Sequence, residues 1–246
     1  MFKPRFKIAI VMENIEYGGA TTHLINLIKS RKFSECEFLI ITNKTNKAIK
    51  QITKELDKKN IKIKFYDSFN AIVEKNFISK LFLLTFKPLL FIFSIIRMYN
   101  ILKKTSYDIL LANCGGYGNF RDEMASVIAS RILMKKNINL LIHHCYMKPL
   151  FWSFLIKPIN YFVGKYSKNL IFVSRATKRS IDSNTCLIKN SDNCAVIHNG
   201  VQLRKFKKEK LKGISAQKGV IKIGMLARIE DYKGQIDLVR SFSKLP

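Results

Sequence analysis

The feature that most constrains this chain is an alternation of short apolar runs with helix-length amphipathic stretches. Strand-like runs fall at Phe6–Met12, Glu37–Thr42, Ile61–Tyr66, Asp108–Ala112, Asn139–His143, Asn169–Val173 and Asn193–Ile197. Between them, Thr22–Ser30, Lys47–Lys58, Arg121–Met134, Leu150–Tyr166 and Arg175–Ser183 carry the helical period. Strand–helix alternation predicts an α/β fold: a Rossmann-like parallel sheet with helices on both faces. In such sheets ligands bind at the C-terminal ends of the strands, which says where to look for chemistry. At 246 residues with 48% apolar content, the chain can bury a sizeable core and is neither disordered nor low in complexity.

A second unit is expected to begin near residue 201. The stretch 201–219 is Lys-rich and reads as a linker after a first domain of residues 1–200. Val220–Leu226 then predicts a new strand, and Ile236–Leu245 the start of a helix. One βα unit cannot bury both of its own faces.

Charge is the second constraint. Forty-four Lys and Arg against 17 Asp and Glu give a formal net charge of +27. That balance favours polyanionic partners, whether membrane phospholipid, nucleic acid or phosphorylated substrates, and a Lys- and Asn-rich background composition explains it equally well. No nucleic-acid-reading motif occurs, so no nucleic-acid partner is expected. Five cysteines (Cys36, Cys114, Cys145, Cys186 and Cys194) without a C-x-x-C fit neither a disulfide scaffold nor a zinc site. The apolar run Ile8–Met12 is too short for a signal peptide. These features fit a reducing, cytoplasmic location.

Ile78–Leu102 is the most hydrophobic stretch. Lys87 and Pro88 interrupt it, which argues against a membrane span. Lys80, Lys87 and Ser94 share one helical face, and no acid occurs between Glu74 and Asp108. Two readings stay open: a buried crossover helix that snorkels its lysines, and a helix lying in the interface of an anionic membrane. Leu150–Lys168, with six aromatic residues and Lys157, Lys165 and Lys168 on one arc, is a second candidate of the same kind.

Several loops could carry chemistry. Gly18 and Gly19 separate the first strand from its helix, a place where backbone can approach a phosphate and helix N–H groups can receive it. An ordinary tight turn has the same signature. Asn113, Gly115 and Gly116 follow the fourth strand and could line the same cleft. His143 and His144 close the fifth strand, where an imidazole can act as acid, base or hydrogen-bond donor. No metal-ligand spacing surrounds them, so no metal is expected. Arg228 and Lys233, in the run Ile223–Gly234 between a strand and a helix, could clamp a diphosphate.

Taken in order, these pieces resemble the N-terminal part of GT-B glycosyltransferases of the retaining family 4. The matching residues are Gly18-Gly19 with Thr22–Leu27, Tyr107–Leu110 with its Gly-rich loop, Ile171–Thr177 with His198–Val201, and Ile223–Gly234 with Ser241–Leu245. The resemblance implies two Rossmann-like domains facing a cleft, the first holding the acceptor and the second a nucleotide-sugar, UDP- or GDP-linked. It implies that Gly18 and Gly19 approach the donor phosphates. Arg228 and Lys233 would stabilise the leaving diphosphate without a metal. His143, or else His144, would lie near the transferred sugar. The acceptor would be a glycan or a lipid-linked glycan of cell-surface polysaccharide synthesis, met on the inner face of the cytoplasmic membrane. Two departures stand out: Gln202 replaces the usual acid after Asn199-Gly200-Val201, and the family's paired glutamates have no counterpart before Pro246. The expectation is therefore a truncated enzyme, with residues 220–246 only the start of the donor domain, inactive alone. The contrasting reading is a non-catalytic basic module that binds a membrane surface or nucleic acid.

Overall fold

The computed structural model describes residues 6–13, 17–30, 33–56, 60–68, 77–118, 120–149, 152–191, 193–201, 223–227, 229 and 233–244, with backbone alone at 77–84 and 153. The chain divides into two compact units, Met1–Val201 and Gln202–Pro246.

Seven strands of the first unit form one sheet: β1 (Phe6–Met12), β2 (Cys36–Asn43), β3 (Ile61–Tyr66), β4 (Ile109–Cys114), β5 (Ile138–Ile142), β6 (Asn169–Phe172) and β7 (Cys194–Val196). Every pairing is parallel, and the spatial order is β3-β2-β1-β4-β5-β6-β7. The Rossmann-like doubly wound sheet expected from the sequence is thus the fold. The order reverses between β1 and β4, so the connections leaving those two strands diverge and open a crevice at their C-terminal ends.

Helices α1 (Gly19–Ile28) and α2 (Ile49–Glu55) return the chain to β2 and β3; α3 (Phe77–Lys103) crosses to β4; α4 (Asp122–Ile132), α5 (Ser153–Tyr166) and α6 (Arg175–Asn184) serve the strands beyond. Strand alternation divides the core accordingly. Ile8, Ile10 and Met12 of β1 pack with Leu24 and Ile25 of α1 and Phe38 and Ile40 of β2. Ala9 and Val11 pack on the other side with Met98 and Leu102 of α3, Val127 of α4 and Val163 of α5. Ser174 caps α6, its hydroxyl accepting the Thr177 N–H at 3.0 Å, which explains the Ser-x-x-Thr pattern after β6.

In the second unit the described residues form one helix, α7 (Gln235–Phe242), entered through Gly234 at φ 78°. Of the strand expected at Val220–Leu226, residues 220–222 lie outside the described set, and 223–226 are not in a strand.

Candidate functional site

Three strand ends converge at the crevice. β1 leads through Glu13 toward Gly18, β4 into Asn113 and Cys114, and β5 into His143. His143 is held there by backbone, its N–H donating to Cys114 O at 3.0 Å, and by its side chain, whose Nε2 lies 2.8 Å from Asn113 Oδ1. A carbonyl oxygen can only accept, so Nε2 carries the proton and Nδ1 of the neutral ring presents a lone pair. That Nδ1 is buried and meets no partner among the described residues, and the same is true of Asn113 Nδ2. Burial, with a smaller contribution from His23, pushes the His143 pKa down to about 4. At neutral pH the ring is therefore uncharged and works as a hydrogen-bonding group.

His23, on the inner face of α1, meets His143 edge to face with ring centroids 5.1 Å apart. Burial lowers its pKa too, and its Nδ1 likewise has no protein partner. Thr21 Oγ1, two residues earlier on α1, is a further buried orphan. Orphaned polar atoms at this depth call for a polar guest or water, since each unmade bond costs roughly 1–3 kcal/mol. His23 also borders an apolar hollow of about 310 Å³ against Leu27, Leu111, Leu141 and Ile171.

The α1 N-terminus lies one turn from this cluster. Gly18 is its N-cap, no side chain among the described residues caps it, and its first turn holds no acid. The first return bond runs from Thr22 N–H to Gly18 O, so the N–H groups of Gly19, Ala20 and Thr21 precede the helix ladder. A Cβ at Gly18 or Gly19 would meet nothing within 4 Å, so the approach to these amides is open.

The other sequence-predicted residues are placed differently. His144 is exposed and turned away from the His23–His143 contact. Gly116 is covered, since a Cβ there would sit 2.6 Å from Met147 Sδ, and Gly118, at φ 114°, would collide with Met147 O. The Gly-rich loop is therefore packed under residues 146 and 147 beyond Gly115, and Asn113 is the member that reaches the histidines. Lys233 is half-buried just before α7 in the second unit, and Arg228 lies outside the described residues.

A second polar cluster adjoins the crevice, and the sequence did not disclose it. Glu13, Asp122 and Glu123 are all buried. Glu13 accepts the Asp122 N–H at 3.1 Å and the Ser68 hydroxyl at 2.9 Å, while its own N–H donates to Glu123 at 2.8 Å. Arg121 bonds Glu123 at 3.2 Å, and Arg97 bonds Asp122 at 2.9 Å. Tyr66 closes the cluster under the Arg97 guanidinium, 5.1 Å from its ring centre, and burial beside these acids holds its hydroxyl well above the usual tyrosine range. The cations neutralise most of the acids, so this network braces β1, β3, α3 and α4 at the crevice wall.

The fold and site together define a Rossmann-like α/β domain whose ligand-facing edge presents two neutral histidines and an uncapped helix N-terminus. No family model and no curated protein sequence matches the chain. Solved structures similar to it include MurG of Acinetobacter baumannii, with TM-score 0.45 and 15% identity over 84% of this chain and 50% of that one. Another is the lipopolysaccharide outer core galactosyltransferase WaaB in its apo form, with TM-score 0.48 and 18% identity over 80% and 46%. A third is S. aureus MnaA in a co-structure with UDP, with TM-score 0.45 and 12% identity over 78% and 43%. The chain spans about half the length of the solved structures it matches.

Proposed function

We propose that this chain is the acceptor-side part of a metal-independent glycosyltransferase of the GT-B type. It would serve transfer of a sugar from a UDP- or GDP-linked donor to a glycan or lipid-linked acceptor in cell-surface polysaccharide synthesis, at the inner face of the cytoplasmic membrane. In domain terms, residues 1–200 are the acceptor-side domain, 201–219 a linker and 220–246 part of the donor-binding domain.

The observation that carries the reading is the His143–Asn113 pair beside an open helix N-terminus at the topological switch point. During transfer the bond from the anomeric carbon to the phosphate oxygen breaks, and its electron pair leaves with the nucleoside diphosphate. The acceptor oxygen forms the new bond, and its proton passes to the departing phosphate oxygen, which holds the released electron pair. Developing charge on the leaving phosphate is met by the N–H groups after Gly18 and Gly19, with Lys233 and Arg228 as the cations that the sequence resemblance assigns to the same task. His143 Nδ1 accepts a hydrogen bond from a hydroxyl of the transferred sugar, and Asn113 fixes the tautomer that makes this work.

The test is chemical-shift mapping of the chain with UDP- and GDP-sugars and with glycan acceptors. Ligand-dependent shifts are expected at His143, Asn113 and Thr21, and weaker ones after His143→Ala. If none of these donors or acceptors moves those three resonances, the reading falls.

A further inference from the structure

Helix α3 is apolar on more than its core-facing side: Phe91, Met98 and Leu102 are buried in the core, and a second apolar strip faces out. Lys87, Ser94 and Arg97 turn toward the protein: Ser94 is 4% exposed and bonds Arg97 at 3.0 Å, Arg97 pairs with buried Asp122, and Lys87 is desolvated and feels the Glu13 carboxylate. A separate outward strip carries Phe86, Leu89, Ile92, Phe93 and Ile96, each between 43% and 53% exposed. At 100° per residue these five fall within an arc of about 120°. A helix that only closed a core would carry polar side chains on that outward strip.

We infer that this outward face is a docking surface for an anionic bilayer, lying in the headgroup–acyl interface. Its composition suits that solvent. No acid occurs from residue 75 to residue 107, and the chain carries a net charge of +27, so an anionic surface attracts it. The same charge opposes a second copy of the chain as the occupant. So does the patch's size: half-exposed side chains of this kind present on the order of 80–100 Å² each, and five of them fall short of the ~800 Å² per partner of a stable dimer.

A span is also excluded by packing. Thr85–Lys103 is long and apolar enough to cross a membrane, and most of it is not buried in the protein. Crossing would pull Arg97 and Ser94 away from Asp122, whereas lying flat leaves that pair intact. Arg97 bonds Asp67 O just past the end of β3, so α3 passes the C-terminal edge of the sheet at this point. Residues 86–96 precede that point in the chain and lie on the side of the sheet edge that carries the crevice, with Phe91 packed on Phe120. Docking on this face brings the crevice to the lipid surface. α5, which also packs on α4, exposes Phe154, Tyr161 and Phe162 near Lys157 and Lys165.

The inference stands apart from the transferase reading, because its test needs no sugar donor. The full chain is co-sedimented with vesicles of phosphatidylglycerol and phosphatidylcholine, and with phosphatidylcholine alone, at 0.1 and 0.5 M salt as approximate settings. Binding to the anionic vesicles is expected, weakened but not abolished by salt. The combined variant Leu89→Gln, Phe93→Gln, Ile96→Gln should lose at least about tenfold in vesicle affinity with an unchanged circular dichroism spectrum and melting curve. In a second measurement, Phe93→Trp in a Trp152→Phe background should give emission that shifts to the blue and is quenched by brominated lipid. Failure of the chain to bind anionic vesicles, undiminished binding by the Gln variant, or an unquenched Trp would overturn the inference. So would a dimer in sedimentation that the Gln variant dissolves, because the face would then be a self-interface.

Discussion

His143 Nε2 lies 2.8 Å from Asn113 Oδ1, and this one contact joins the ends of β4 and β5 at the place where the strand order has just reversed. It does two things at once. It fixes the imidazole tautomer, and it leaves Nδ1 with a buried lone pair that no described residue meets, on a ring packed against His23. A histidine held neutral by burial cannot stabilise charge by Coulomb attraction at neutral pH. It can receive a hydroxyl proton in a hydrogen bond, which is what recognition of a sugar requires.

The depressed pKa of His143 makes stability acid-sensitive. The unfolded chain binds a proton at this residue near pH 6.5, whereas the folded chain waits until about pH 4. Between those values the unfolded state holds more protons, so stability is full above pH 6.5 and falls as pH drops toward 4. The loss attributable to His143 is roughly 3 kcal/mol or less, by the usual conversion of pKa difference to free energy. Urea melts at pH 7 and pH 4.5 should show it, and His143→Gln should reduce the difference. An equal difference in both proteins would remove His143 as the cause.

Asn113→Asp should reverse the sign of that shift. The new carboxylate would lie within hydrogen-bond reach of Nε2 in a buried site, favouring the imidazolium over the neutral ring. NMR titration should then place the His143 pKa above that of the wild type. Acid sensitivity between pH 6.5 and 4 should shrink with it. A pKa still near 4 would mean that the pair is not formed in solution.

Much of the sheet was legible because its strands are buried on both faces and read as apolar runs. β1 and β3 fall at the predicted residues, and the other five strands within two residues of prediction. The start of α1 was not legible: Gly18-Gly19 reads as a turn, yet Gly19 already belongs to the helix. The period of α3 showed that Lys87 and Ser94 share a face, but not that this face turns inward. Its partners Glu13 and Asp122 lie far away in sequence, and only the crossover brings them together. His23 gave no signal at all, since a single histidine on an apolar helix face looks like core. Of the site, the sequence showed Gly18, Gly19, Asn113 and His143 as neighbours of strand ends. It could not show that Gly116 is covered by Met147.

The Arg97–Asp122 pair should be costly to break and cheap to replace. Asp122 is fully buried and Arg97 nearly so, with side chains 0% and 18% exposed. Removing one partner leaves an uncompensated charge, and Asp122→Ala should cost about 3–5 kcal/mol in chemical denaturation. Arg97→Met together with Asp122→Leu removes both charges and should recover a large part of that loss. The double variant proving as unstable as the single one would point instead to the Ser68 and Tyr66 contacts as the main loss.

Two glycines at the crevice should respond to alanine in opposite ways, and the contrast separates binding from folding. Gly118 sits at φ 114°, and a Cβ there meets Met147 O, so Gly118→Ala strains both backbone and packing. It should lose on the order of 1–3 kcal/mol of stability. Gly19 is in the first turn of α1 with open space around its Cα. Gly19→Ala should leave stability unchanged or raise it by up to about 1 kcal/mol, through helix propensity. The added methyl group would nevertheless stand at the amides proposed to receive a phosphate. Thermal melts of the two variants, followed by nucleotide-sugar titration of Gly19→Ala, make the comparison. Stability kept and donor shifts weakened is the expected pair of results. Stability kept with donor shifts unchanged would take the α1 N-terminus out of the site while leaving His143 and Asn113 in it.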